Sequence, residues 1–218
     1  MTRNEIITMF RAENPEMTSR VVTNTVLNEW CKVGDKEVCA RTRCIVDQDG
    51  TTIGTAEDDE AFDLTNYIDK FYDIDEGPNG GGVTYNAKRL KKKTIAELDM
   101  ENSTWRSNAS GTPLAYYRRG EYIYLDRPID SEADDIKVYA VLISDDFNND
   151  DIAPYNQLTY LEPFHYAMVL YLKMRAKAKF GKKAQAASAR AEYDAYVAWM
   201  KKEIGGGKYG KIYFRKKR

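Results

Sequence analysis

The sequence predicts an α+β fold: a helical bundle built from N- and C-terminal helices, an inserted antiparallel β lobe, and a flexible basic C-terminal tail. Three observations predict it. Apolar residues recur at helical spacing at both ends of the chain. The middle is instead rich in aromatic and β-branched residues bounded by turn signals. A run of three glycines then separates the last helix from a cationic end. The expected boundaries are 1–46 for the N-terminal helices, 47–150 for the β-rich insertion, 151–204 for the C-terminal helices and 205–218 for the tail.

Thr2 and Glu5 form a capping box that opens a first helix with Ile6, Met9 and Phe10 on one face, ended by Pro15. Val22, Val26 and Trp30 at four-residue spacing predict a second helix over 18–32. Gly34 is read as a break, and a third helix over 35–45 carries Val38, Cys39 and Ile45. Residues 47–66 are acidic and rich in Gly and Thr, with a turn at Asp49-Gly50. FDLT (62–65) and YIDKFYDID (67–75) read as strands, EGPNGGG (76–82) as a flexible loop, and VTYNAKRL (83–90) as the returning strand. A second capping box, Thr94 to Glu97, predicts a short helix over 95–101. Strands over 114–119 and 121–126 follow, joined at Gly120, where a tight turn needs positive φ. IKVYAVLI (136–143) is apolar at nearly every position and is expected as one central strand covered on both faces.

An acidic loop over 144–151 leads to a helix over 160–181. Phe164, Met168, Tyr171, Leu172 and Arg175 lie near one stripe, Pro163 sits in its first turn and Gly181 caps its end. A last helix over 183–203 carries Tyr193, Tyr196, Val197 and Met200. There is no internal repeat. An α-then-β-then-α order lets the terminal helices pack together with the β part hanging from them as a lobe.

The formal net charge is −1, which argues against a general nucleic-acid binder. Charge is nevertheless segregated. Residues 47–76 hold eleven acids against Lys70 alone, 130–151 hold eight against Lys137 alone, and the last fifteen residues hold six Lys or Arg and no acid. An acidic middle and a basic end suit head-to-tail contact with copies of the chain or with a partner. No apolar run approaches the ~18 residues of a membrane span, so no membrane association is expected. The N-terminus lacks the apolar core and cleavage site of a signal peptide, and synthesis in a cytosol is expected.

The candidate chemical groups read as structural. His165, the single histidine, sits in an apolar helical stretch and reads as a core or interface residue rather than a catalytic one. Cys31, Cys39 and Cys44 are odd in number and match no zinc-site spacing. DDFNNDD (145–151) resembles part of a calcium loop, but Asp151 stands where that loop needs glycine and Gln157 where it needs glutamate. It reads as a solvated acidic loop. No catalytic residue, metal or cofactor is expected. The basic run of Lys88, Arg89, Lys91, Lys92 and Lys93 is a candidate for proximity to DNA. The tail is the strongest site candidate: Tyr209, Ile212, Tyr213 and Phe214 stand among Lys208, Lys211 and Arg215, a composition suited to ordering on a partner.

The order W…SGTPLAYYRRGEYIYLDRPIDSEADDIKVYAVLI resembles bacteriophage head-to-tail adaptor proteins, also called connector or head-completion proteins. The matching residues are Trp105, Gly111, Pro113, Tyr116, Tyr117, Gly120, Ile123, Leu125, Pro128, Asp130, Val138 and Tyr139. FDL (62–64) and IDKFYDI (68–74) look like that family's strand pair, with Thr65 where the family commonly has proline. Pro154 and the two terminal helices fit as well, so the resemblance spans about 60–203. The long acidic segment 47–60 and the triple glycines depart from it.

The resemblance implies a structural virion protein at the portal–tail junction, assembled in the host cytoplasm. It implies a homo-oligomeric, dodecameric ring docked under the portal, with a tail protein or second ring below and double-stranded DNA passing through without sequence specificity. The tail residues Lys208, Tyr209, Lys211, Ile212, Tyr213, Phe214 and Arg215 would then reach the portal. Tyr116, Tyr117, Tyr122 and Tyr124 would form a β-lobe interface, since Tyr rings offer large contact area and a polar tip. Two other readings stay open: a DNA-binding module using 88–93 and the tail, and a small hydrolase or metal enzyme.

Overall fold

The computed structural model describes residues 1–47, 49–53, 61–68, 71–76, 81–129, 136–144 and 147–205. Among them are five α-helices: α1 (Arg3–Glu13), α2 (Asn24–Thr42), α3 (Ile95–Glu101), α4 (Tyr166–Phe180) and α5 (Lys183–Gly205). The ten strands are β1 (Thr51–Ile53), β2 (Ala61–Asp63), β3 (Phe71–Ile74), β4 (Val83–Tyr85), β5 (Lys88–Arg89), β6 (Lys91–Lys92), β7 (Ala115–Arg119), β8 (Tyr122–Leu125), β9 (Ile136–Val138) and β10 (Ala140–Leu142). The fold is α+β, as the sequence predicts. The chain divides into two compact units, Met1–Ile45 with Ile143–Arg218, and Val46–Leu142.

In the helical unit, α4 packs against α1, α2 and α5. Its residues 167–172 are all buried, six in succession. The expected single stripe is therefore too narrow: a helix surrounded by others is apolar all round. The capping box at α1 forms, with the Thr2 amide donating to Glu5 Oε2 at 2.7 Å and the Glu5 amide to Thr2 Oγ1 at 3.3 Å. Residues 159–164, which include Pro163, are a 3-10 turn, and α4 itself begins only at Tyr166.

Gly34 does not break the second helix. One helix, α2, runs through it from an N-cap at Thr23 to a left-handed Arg43. A Cβ at Gly34 would lie 2.5 Å from Tyr171 Cδ1, so glycine is what allows the α4 ring to press on the α2 backbone. Gly34→Ala is expected to destabilise this unit by about 1–3 kcal/mol through overpacking. This occurs although alanine favours helix by about 1 kcal/mol. Chemical denaturation of the two proteins checks it; equal or higher stability of the variant would contradict the packing argument.

The β unit holds one main core formed by Ile53, Phe62, Leu64, Ile74, Val83, Tyr116, Ile123, Leu125, Ile136, Val138 and neighbours. Three sheets surround it, in the orders β1-β9-β4-β5, β10-β3 and β2-β8-β7-β6. Among the described residues all pairings are antiparallel except β6 with β7, which is parallel. The expected single strand over 136–143 is two strands. The Tyr139 amide donates to Gly82 O (2.9 Å), whereas its carbonyl accepts from the Asp75 amide (2.7 Å), so the backbone changes partner there. The Tyr139 ring lies against Gly81, where a Cβ would come within 2.0 Å of it. That close approach accounts for part of the glycine run.

The expected strand over 83–90 is a hairpin, β4 to β5, turned at Asn86 and Ala87 with φ of +46° and +63°. Both central residues are left-handed, as a two-residue hairpin turn requires. The second capping box forms at α3, between Thr94 and Glu97. FDLT is only partly strand, because Leu64–Asn66 is a 3-10 turn capped by the Asp63 carboxylate.

Candidate interaction surfaces

The hairpin β7–β8 turns at Gly120, with φ of +64°. Its register pairs Tyr116 with Leu125, Tyr117 with Tyr124 and Arg119 with Tyr122. Alternation along a strand then decides which tyrosines are available. Tyr116 has no exposed surface and lies in the core beside Ile123 and Leu125. It offers no surface to a partner, unlike the interface role expected of it. Tyr117, Tyr122 and Tyr124 are on the opposite face.

There they form a ladder with Trp105. Trp105 meets Tyr117 edge-on at 5.6 Å, Tyr117 stacks on Tyr124 at 4.7 Å, and Tyr124 approaches Tyr122 at 6.3 Å. One end is closed: Leu98 of α3, Trp105 and Ala115 pack as a small apolar cluster. Trp105 Nε1 donates to Asp99 Oδ1 (2.9 Å), and the Arg106 guanidinium lies 4.4 Å from the Trp105 ring centre. Hydrogen bonds from Arg106 and Trp105 hold the Asp99 carboxyl below the usual carboxylate range. The other end is open, with Tyr122 43% exposed. Hydrogen bonds from Thr65 side chain and amide, and from the Tyr122 hydroxyl, lower the Asp63 carboxyl, and the Tyr122 hydroxyl is raised by the same contact.

The basic run lies on two sheet edges. Lys88 and Arg89 form β5, an edge of the first sheet, and Lys91 and Lys92 form β6, an edge of the third. Leu90 between them is buried in the core. Arg89 bonds Glu76 Oε2 at 3.3 Å, Lys92 lies 4.0 Å from Glu76 Oε1, and Lys93 pairs with Glu101. Lysines on edge strands discourage unwanted pairing between sheets. The tail residues 208–215 lie outside the described residues.

His165 is 1% exposed, with its Nδ1 at 2.6 Å from the Met1 amino nitrogen and its ring 5.8 Å from that of Tyr155. Burial, then the positive amino group, push it down to about 4. The unfolded chain, with an ordinary value of 6.5, takes up the proton first as pH falls. The stabilising effect of the neutral imidazole is complete above about pH 6.5 and is lost through pH 4. Between pH 7.5 and 5 the expected loss is about 2 kcal/mol. Denaturation against pH checks it, with His165→Gln expected to flatten that slope.

Cys31, Cys39 and Cys44 are all buried, and burial raises Cys31 to about 12 and Cys39 well above an ordinary thiol. Within the acidic loop, Asp150 is not merely solvated. Its Oδ1 accepts from Arg3 Nη2 (2.6 Å) and Nε (3.1 Å), and Arg3 is only 5% exposed. Asp150→Asn should cost about 1–3 kcal/mol, because it leaves a buried guanidinium without its counter-charge; denaturation measures it. A cavity of about 50 Å³ in this unit, lined by Lys32, Asp35, Lys36, Ser144, Phe147 and Asn148, has room for water but not for an organic ligand. Among the described residues no group of three or more His, Cys, Asp or Glu could hold a metal ion. None of their helices is long and apolar enough to cross a membrane.

Helices packed around one central helix, with a β unit displaying an aromatic ladder and charged sheet edges, define a protein equipped for contact with other proteins. The family model of the SU10 adaptor protein matches residues 1–205, and the chain belongs to that family. A comparison with curated protein sequences finds no match. The resemblance read from the hairpin region is borne out, and the match extends over both units. The protein is thus a phage adaptor, a structural component of the virion that associates with other virion proteins.

Proposed function

We propose that the protein forms a homo-oligomeric, dodecameric ring under the portal, linking capsid to tail and continuing the DNA channel. The observation that carries this reading is the match to an adaptor family over residues 1–205. What that match leaves over is a short cationic and aromatic extension with the composition of a docking segment. In this reading the helical unit packs subunit on subunit, the β unit faces the tail or a second ring, and the extension engages the portal through Lys208, Tyr209, Lys211, Ile212, Tyr213, Phe214 and Arg215. Assembly takes place in the host cytoplasm. Tyr117, Tyr122 and Tyr124 supply the β-lobe contact surface. Double-stranded DNA passes without sequence-specific contact, and the protein has no catalytic step of its own.

The alternative of a DNA-binding module draws less support. Arg89, Lys92 and Lys93, three of the five cations in the basic run, already meet carboxylates of the same unit. Phosphate binding gains strength from many free cations at once. Co-sedimentation of the full chain with capsids tests the adaptor reading. Capsids carrying a portal should retain the protein and capsids lacking one should not; equal retention, or none by either, would overturn it.

A further inference from the structure

The third sheet has two open edges of opposite charge. In the order β2-β8-β7-β6, β2 and β6 are the outer strands, and among the described residues no strand pairs with the far side of either. β2 is antiparallel to β8, β8 antiparallel to β7, and β6 parallel to β7, so the two outer strands run in the same direction. The amides of Lys91 and Lys93 donate inward to Leu114 and Tyr116, which turns the Lys92 N–H and C=O outward. On β2 the Leu64 amide donates inward to Glu121, so by alternation Ala61 offers its backbone groups, and Asp63 its N–H, to the open side.

The charges decide which edges can meet. β6 presents Lys91 and Lys92, both exposed, with Lys92 lying 4.0 Å from Glu76 Oε1. β2 carries Asp63, and the acid Glu60 is bonded directly to its first residue, Ala61. Two β6 edges would bring lysines together and two β2 edges would bring acids together; each is disfavoured by like-charge repulsion. Only β2 against β6 joins opposite charges. That contact is heterologous, the kind that generates rings when the rotation closes. We propose that β6 of one copy adds in parallel beside β2 of the next, continuing the sheet from subunit to subunit. This rests on the ring reading above and adds to the subunit packing of the helical unit a second contact, made between neighbouring β units.

Within one copy β2 and β6 are three strand spacings apart, about 14 Å. A disulfide needs Cα atoms within about 7 Å, so cysteines on these two strands can cross-link only between copies. Lys91 pairs with Ala115, and Ala61 with Tyr124, on the outer face of the sheet, which makes Ala61→Cys with Lys91→Cys the direct probe. Asp63→Cys with Lys91→Cys covers the register two residues away. The full-length double variants are mixed with portal-bearing capsids, oxidised briefly with diamide and run on a non-reducing gel, with end-on images of the same sample. A ladder of covalent oligomers, absent from the single variants, is expected from at least one pair. Rings without cross-links in either pair would overturn this inference and leave the ring reading standing. No ring under any condition would overturn both.

Discussion

Removing residues 206–218 should leave the fold of the described residues intact and abolish retention by portal-bearing capsids. The last helix, α5, ends at Gly205, and the side chains that hold it, among them Tyr193, Val197 and Met200, all precede the cut. Stability should therefore stay within about 0.5 kcal/mol. The removed segment carries Tyr209, Tyr213 and Phe214 with six cations. Aromatic anchors and charges dominate contacts of this type. An affinity loss of at least about 100-fold, or roughly 2.7 kcal/mol, is expected. Titration of both proteins against portal-bearing capsids measures it, and unchanged affinity of the shortened chain would remove the tail from the portal contact.

The second large effect separates the two faces of the hairpin. Tyr116→Ala should cost the β unit about 3–5 kcal/mol, the range for emptying the space of a buried aromatic ring. Tyr122→Ala, on the open end of the ladder, should cost less than about 1 kcal/mol and act on association instead. Tyr116→Phe offers a sharper check. Among the described residues the buried Tyr116 hydroxyl has no hydrogen-bond partner, so removing it alone should leave stability unchanged or raised. Protease resistance and denaturation of the three variants distinguish these outcomes. Equal losses for Tyr116→Ala and Tyr122→Ala would contradict the assigned faces.

The same hairpin shows how far the sequence could be read. Its turn at Gly120 and its two strands follow from local chemistry, as do both capping boxes, because each needs only residues a few positions apart. The face of Tyr116 was also within reach: a two-residue turn sets it opposite Leu125, and strand alternation then places it with Ile123 in the core. Other features depended on partners far along the chain. Gly34 stands inside a helix, at a cost of about 1 kcal/mol in helix propensity, because the Tyr171 ring fills the space a side chain would take. The break at Tyr139 arises because its amide and carbonyl bond different segments, Gly82 and Asp75. The Asn86-Ala87 turn lacks the glycine that marks most left-handed hairpin turns. The Arg3–Asp150 pair joins the two separate segments of the helical unit across 147 positions of sequence, and nothing near Asp150 announces it.

The interaction surfaces were legible in type more than in detail. Tyrosine-rich strands and a basic run announced contacts of some kind. Which cations were already engaged depended on Glu76 and Glu101, supplied by a loop and by α3. The opposed charge of the two sheet edges appears only once the strand order is known.

We propose a chain that works by gripping its neighbours in a closed assembly. Its most direct test is end-on imaging of portal-bearing particles with the full-length protein bound. A closed ring of copies concentric with the portal is the predicted class average. Isolated copies scattered without rotational symmetry would contradict it.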